Sequence, residues 1–103
     1  MRRAFASSTL MRLRTMSSED ALVALAMHCK ADPTYVPIKD TKSRRWYACT
    51  SCGEFEILTT GAKWYDTRAK AGGGGAIDLA MHILHVPFVD AVKLLTAGVT
   101  PRG

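Results

Sequence analysis

The chain has 103 residues, a hydrophobic fraction of 48% and a formal net charge of +5. That length holds one small domain, and that apolar content supports a real core and not disorder. No apolar run approaches the ~20 residues a membrane helix needs, and three cysteines, an odd count, argue against a disulfide framework and for free thiols or metal ligands.

The charge is unevenly spread. Residues 1–16 carry Arg2, Arg3, Arg12 and Arg14 and no acid, whereas residues 17–103 hold ten Lys or Arg against nine Asp or Glu. Any nucleic-acid affinity of the folded part must therefore come from local patches. One is Lys39, Lys42, Arg44 and Arg45, offset by Asp40; a second is Lys63, Arg68 and Lys70, offset by Asp66. Residues 1–17 read as a disordered basic tail, or as a targeting segment of the acid-poor, Arg- and Ser-rich mitochondrial kind. The domain itself is expected over 18–98.

Ser17 or Ser18 before Glu19 and Asp20 reads as a helix start, with a hydroxyl cap and acids facing the dipole. Leu22, Leu25, Ala26 and Cys29 recur at helical spacing, so a helix is predicted over about 19–30, ended by Asp32-Pro33. Residues 31–43 read as loop or edge segment. Three runs rich in aromatic and branched residues follow, at 45–49, 54–58 and 62–66, separated by Thr50-Ser51-Cys52-Gly53 and Thr59-Thr60-Gly61. They predict three antiparallel strands in a meander. Residues 69–75 are a glycine-dominated loop. Ile77, Ala80, Met81 and Leu84 predict a helix at about 75–85. After Val86-Pro87, the stripe Phe88, Ala91, Val92 and Leu95 predicts a last helix, stopped at Gly98. The expected fold is α+β: a small three-stranded, zinc-ribbon-like antiparallel sheet with one N-terminal and two short C-terminal helices.

Three motifs carry chemistry. Cys49-Thr50-Ser51-Cys52 has the spacing of half a zinc site, and the further ligands on offer are His28, Cys29, His82 and His85. The competing reading is free thiols in a turn beside ordinary helix histidines. Gly72 to Gly75 precede a helix, where bare backbone N–H groups suit a phosphate, although the spacing matches neither a P-loop nor a dinucleotide fingerprint. The competing reading is a turn that lets the helix pack closely. Trp46-Tyr47 and Trp64-Tyr65 sit among Arg44, Arg45, Lys63 and Arg68, a combination suited to base stacking with cations on the backbone. Alternation sends one ring of each pair to the core and one to the other face.

From Lys63-Trp64-Tyr65-Asp66 through Gly72-Gly73-Gly74-Gly75-Ala76-Ile77-Asp78-Leu79-Ala80-Met81-His82 to Phe88-Val89-Asp90-Ala91-Val92-Lys93-Leu94-Leu95, the chain resembles the zinc-finger N-terminal domain of bacterial DNA primases. It is especially similar to the relative of that domain associated with Toprim proteins of plasmids and integrative elements. The resemblance spans about 20–96 and is concentrated in 61–95. It implies a DNA-binding module, usually for single strands, that serves a primase or related enzyme whose catalytic residues lie in another domain. The departure is at the metal: where the second ligand pair of a primase finger would stand, this chain has Asp66, Thr67 and Arg68.

The expectation is thus a non-catalytic nucleic-acid-binding module of replication priming or mobile-element maintenance, in a bacterial cytoplasm, or in the mitochondrial matrix if residues 1–16 are a transit peptide. Arg44, Arg45, Lys63, Arg68 and Lys70 would contact phosphates, Trp46 or Trp64 would stack, Gly73, Gly74 and Gly75 would seat a phosphate, and Cys49 and Cys52 would contribute to one zinc ion if any is bound. The alternative is a protein-interaction domain that docks a Toprim, primase or helicase partner through residues 76–96 after losing DNA and metal. A redox or catalytic role of Cys49 and Cys52 ranks below both.

Overall fold

The computed structural model describes residues 7–37 and 41–99, with side chains described up to Thr96. Arg2, Arg3, Lys39 and Asp40 lie outside the described residues. The elements run α1 (Ser7–Thr15), α2 (Ser18–Leu25), β1 (His28–Ala31), β2 (Arg44–Thr50), β3 (Gly53–Thr60), β4 (Lys63–Asp66), β5 (Ala71–Gly74), α3 (Ala76–Leu84) and α4 (Phe88–Val99). The five strands form one antiparallel sheet whose spatial order repeats the chain order, β1-β2-β3-β4-β5. The class is α+β with an antiparallel sheet, as expected, but the described residues form five strands instead of three and four helices instead of three.

The central strands β2, β3 and β4 fall on the three aromatic runs. The first added strand, β1, replaces the end of the predicted helix. α2 stops at Leu25, and Cys29 and Ala31 then face Ala48 and Trp46 on β2. A free edge of β2 offers these residues backbone partners that a last helical turn does not. The second, β5, replaces the glycine loop, pairing Gly74 with Lys63, Gly73 with Trp64 and Gly72 with Tyr65. Glycine is needed there because the backbone runs hard against the neighbouring strand. A Cβ on Gly73 would lie 3.0 Å from the Trp64 ring, and one on Gly72 would lie 2.7 Å from the Trp64 carbonyl oxygen.

Residues 7–15, expected within a disordered tail, form α1 and bury Leu13 in the core. Gly98, expected to stop the last helix, lies inside α4.

All four helices contribute to one layer on one side of the sheet. Leu13 of α1, Leu22 of α2, Leu79 and Ile83 of α3 and Val92 and Leu95 of α4 meet Ala48, Ile57 and Trp64 from the strands. Ser17 caps α2 by accepting the Asp20 amide at 3.0 Å, as its sequence position suggests. Ser18 is buried, and its hydroxyl sits 2.9 Å from the Gly61 carbonyl and 3.0 Å from that of Lys63. That bond fastens the start of α2 to the turn between β3 and β4. Thr50 donates to the Ile83 carbonyl at 2.8 Å and ties the other end of the sheet to α3. Among the described residues, no single helix is long and apolar enough to cross a membrane.

Candidate nucleic-acid interface

Among the described residues every helix packs on one side, so none of these helices covers the other side of the sheet. Strand alternation and the pairing registers fix what stands on it. One row across the strands is His28, Cys49 and Glu54; the next is Lys30, Tyr47 and Glu56. A third is Arg45, Leu58, Tyr65 and Gly72, and a fourth is Thr60, Lys63 and Gly74. Tyr47 is 41% exposed and Tyr65 is 42% exposed, whereas Trp64 is only 6% exposed.

Each Trp-Tyr pair therefore splits with the indole inward and the phenol outward. Trp64 lies against Gly73 and 4.9 Å, centroid to centroid, from the His82 ring. Trp46 faces the helix layer opposite Ile57 and is half-buried. The expectation of an exposed ring at Trp46 or Trp64 is thus not met: within each pair it is the tyrosine, Tyr47 or Tyr65, that is exposed. A tyrosine can lie at the surface with its hydroxyl on water or a polar partner while its ring remains available for contact, and this is the signal that picks Tyr over Trp within each pair.

Two of the expected phosphate ligands are engaged within the fold. Arg45 donates through Nε (2.9 Å) and Nη2 (2.7 Å) to Asp32 Oδ2, approaches Glu56 at 3.9 Å and lies over the Tyr35 ring. The Thr34 hydroxyl and amide, then Arg45, hold the Asp32 carboxyl well below the usual carboxylate range. The Tyr47 hydroxyl donates to the same Asp32 Oδ2 at 3.2 Å, which fixes the orientation of the exposed ring. Arg44 sits on the helix side, paired with Glu19 at 3.3 Å and over Trp46. Lys63, Arg68 and Lys70 remain exposed and, among the described residues, form no ion pair. Lys30, which the sequence did not single out, joins them beside Tyr47.

Arg68 is placed by a turn with its own internal bracing. Asp66, 2% exposed, accepts the amides of Arg68 (2.9 Å) and Ala69 (3.0 Å) on Oδ1 and the His82 Nε2–H (2.6 Å) on Oδ2. Burial alone would raise the Asp66 pKa, but the bonds from His82 and from the Ala69 and Arg68 amides outweigh it and hold the carboxyl below its ordinary value. Thr67 adds a bond from its hydroxyl to Glu56 Oε2 at 2.8 Å, drawing the turn over the open face.

The glycine segment divides. Gly73 and Gly74 are strand residues, and only Gly75, with φ of 152°, stands at the start of α3, where it brings no side-chain cap. A cavity of about 210 Å3 at that helix start is shared by Arg14, Gly75 and Asp78.

The residues do not fit a zinc site. Cys49 and His28 stand on the open face, Cys52 lies exposed in the turn between β2 and β3, and Cys29 is on the helix side, where burial pushes its thiol pKa up. His82 is committed to Asp66, and His85 ends α3 in a left-handed conformation. Among the described residues, no three His, Cys, Asp or Glu side chains converge as a metal cluster.

The architecture defines a small α+β domain with a helix-backed meander and one open, tyrosine-bearing face. No protein-family model, curated protein or solved structure matches the chain.

Proposed function

We propose that the domain is a non-catalytic module that binds single-stranded nucleic acid on the open face of its sheet, in the service of a replication-priming or mobile-element protein. The observation that carries this reading is the pair of exposed rings, Tyr47 and Tyr65, on a face that none of the described helices covers, bordered by Lys30, Lys63 and Arg68. The two rings lie on strands separated by β3 and one row apart, roughly 12 Å from strand spacing and rise, so they would receive bases that are not adjacent. Each stack contributes about 1–3 kcal/mol, and the flanking cations bind the intervening phosphates. The primase-finger resemblance of residues 61–95 supports the same class of ligand, with the Asp66–His82 bond bracing the turn where that family places metal ligands.

The test is fluorescence anisotropy of a labelled single strand across a salt series. Three or four phosphate contacts predict a log–log slope of roughly −2 to −3. Binding that survives the joint replacement Tyr47→Ala and Tyr65→Ala would rule the open face out.

A second reading has its own observation. Val23, Met27 and Leu94 are exposed apolar residues, and Met27 and Leu94 border a groove of about 370 Å3 with Leu25, Leu84 and Val86. That surface suits the docking of a Toprim, primase or helicase protein, and it is the reading to adopt if no strand binds.

A further inference from the structure

At the end of the open face nearest the turn between β2 and β3, a cavity of about 290 Å3 is lined by His28, Lys30, Tyr47, Cys49, Glu54 and Arg68. Resting on the nucleic-acid reading, we propose that this cavity is a base pocket that selects guanine within a single strand, with Glu54 as the reading residue.

The volume is near the lower limit of about 300 Å3 for small-molecule sites, enough for one base. Tyr47 offers a stacking surface that its bond to Asp32 holds in one orientation. Lys30 flanks it from β1, and Arg68 reaches the same cavity from the braced turn. Those are the parts any base would use. Glu54 is different, because a carboxylate repels the phosphate backbone and gains nothing from a generic strand.

The three acids on this face are not equivalent. Asp32 is filled by Thr34, Arg45 and Tyr47, and Glu56 by Thr67 with Arg45 nearby. Glu54 is exposed and, among the described residues, makes no side-chain hydrogen bond or ion pair. It stands one row from Tyr47, opposite Cys49, within the reach of a base stacked on the Tyr47 ring.

An ionised carboxylate only accepts hydrogen bonds, and it has two oxygens side by side. Guanine presents two adjacent donors, N1–H and N2–H, on its Watson–Crick edge. Cytosine and adenine each place an acceptor nitrogen beside their amino group, and thymine or uracil places its one N–H between two carbonyls. Only guanine satisfies both oxygens without repulsion. Single-stranded recognition commonly reads this edge once a base is splayed onto an aromatic ring.

The experiment uses the full chain and labelled oligothymidine of about 12 nucleotides, a length within the usual site size. Versions carrying two central guanines, cytosines, adenines or inosines are compared with it. The expected result is roughly ten-fold tighter binding of the guanine strand, within the range of one bidentate base contact. Inosine, which lacks the N2 amine, should lose most of that gain. Glu54→Gln should bring the guanine preference below about two-fold while leaving oligothymidine binding equal or stronger. Oligothymidine bound on the tyrosine face with no guanine preference overturns the pocket and leaves the proposed function standing. A guanine preference that persists in Glu54→Gln overturns the assignment to Glu54. Failure to bind any strand overturns both readings.

Discussion

On the helix side of the sheet, β2, β3 and β4 present Ala48, Ile57, Trp64 and Asp66, all buried, and the half-buried Trp46. On the other side, the same strands present Tyr47, Glu54, Tyr65 and Lys63 to solvent. Two carboxylates, one from each face, show the difference. Asp66 on the covered face has three donors around it, while Glu54 on the open face, among the described residues, has no side-chain partner. A polar group in the core must be bonded or it destabilises the fold, whereas one in water can keep its capacity for a ligand. The contrast teaches where to look for function in a small sheet: among the side chains the fold does not use.

Substitutions separate the faces by what they change. Leu79→Ala, in the centre of α3, should cost about 2–5 kcal/mol of stability in urea denaturation; a cost under about 1 kcal/mol would mean that the helix layer is not the core. Asp66→Asn should cost roughly 2 kcal/mol through weakened bonds to His82 and the turn amides. Because the folded Asp66 pKa lies below its ordinary value, its stabilisation is complete above the usual carboxylate range and is lost as pH falls through that range toward the folded value. The native domain should therefore weaken below about pH 4, and Asp66→Asn should flatten that decline. An unchanged pH profile would assign the acid sensitivity to another carboxylate.

On the open face the expected losses are in binding. Tyr47→Ala and Tyr65→Ala should each weaken single-strand affinity by about 1–3 kcal/mol and leave the urea midpoint nearly unchanged. A collapse of stability instead would make these rings structural. The smallest effect belongs to the cations. Lys30→Ala or Arg68→Ala should reduce the salt slope by about 0.7 each, and Arg44→Ala, on the helix side and paired with Glu19, should leave the slope as it is.

How far the sequence foresaw these faces depends on range. β2, β3 and β4 were legible because Trp46-Tyr47, Phe55 and Ile57, and Trp64-Tyr65 mark strands by residue type and are punctuated by short turns. β1 was not, because Cys29 fits a helical stripe and an inward strand position equally well, and only its pairing with Ala48 decides. β5 was hidden by glycine, which has poor strand propensity; its reason for being there is the nearby Trp64, a tertiary fact. α1 was masked by a composition typical of tails, although Leu10 and Leu13 stand at helical spacing. At the site, Lys63, Arg68 and Lys70 were read from charge alone, whereas the engagement of Arg45 by Asp32 needed the loop after β1. Glu54 gave no signal of its own in the sequence, and its lack of a side-chain partner among the described residues is what gives it a use.

The sheet order has a kinetic consequence. Each strand pairs with its chain neighbour, and the connections at 51–52, 61–62 and 67–70 are short, so the hairpins close at little entropic cost and within microseconds. The helix layer is assembled from opposite ends of the sequence, since Leu13 and Leu22 must meet Leu79, Ile83 and Leu95. On a ribosome the meander is complete before residues 76–95 emerge, and its apolar side then has only α1 and α2 to cover it. Substitutions in β2 and β3 should then slow folding, those in α4 should mainly hasten unfolding, and the interval before α3 arrives is when the nascent chain is most exposed to aggregation.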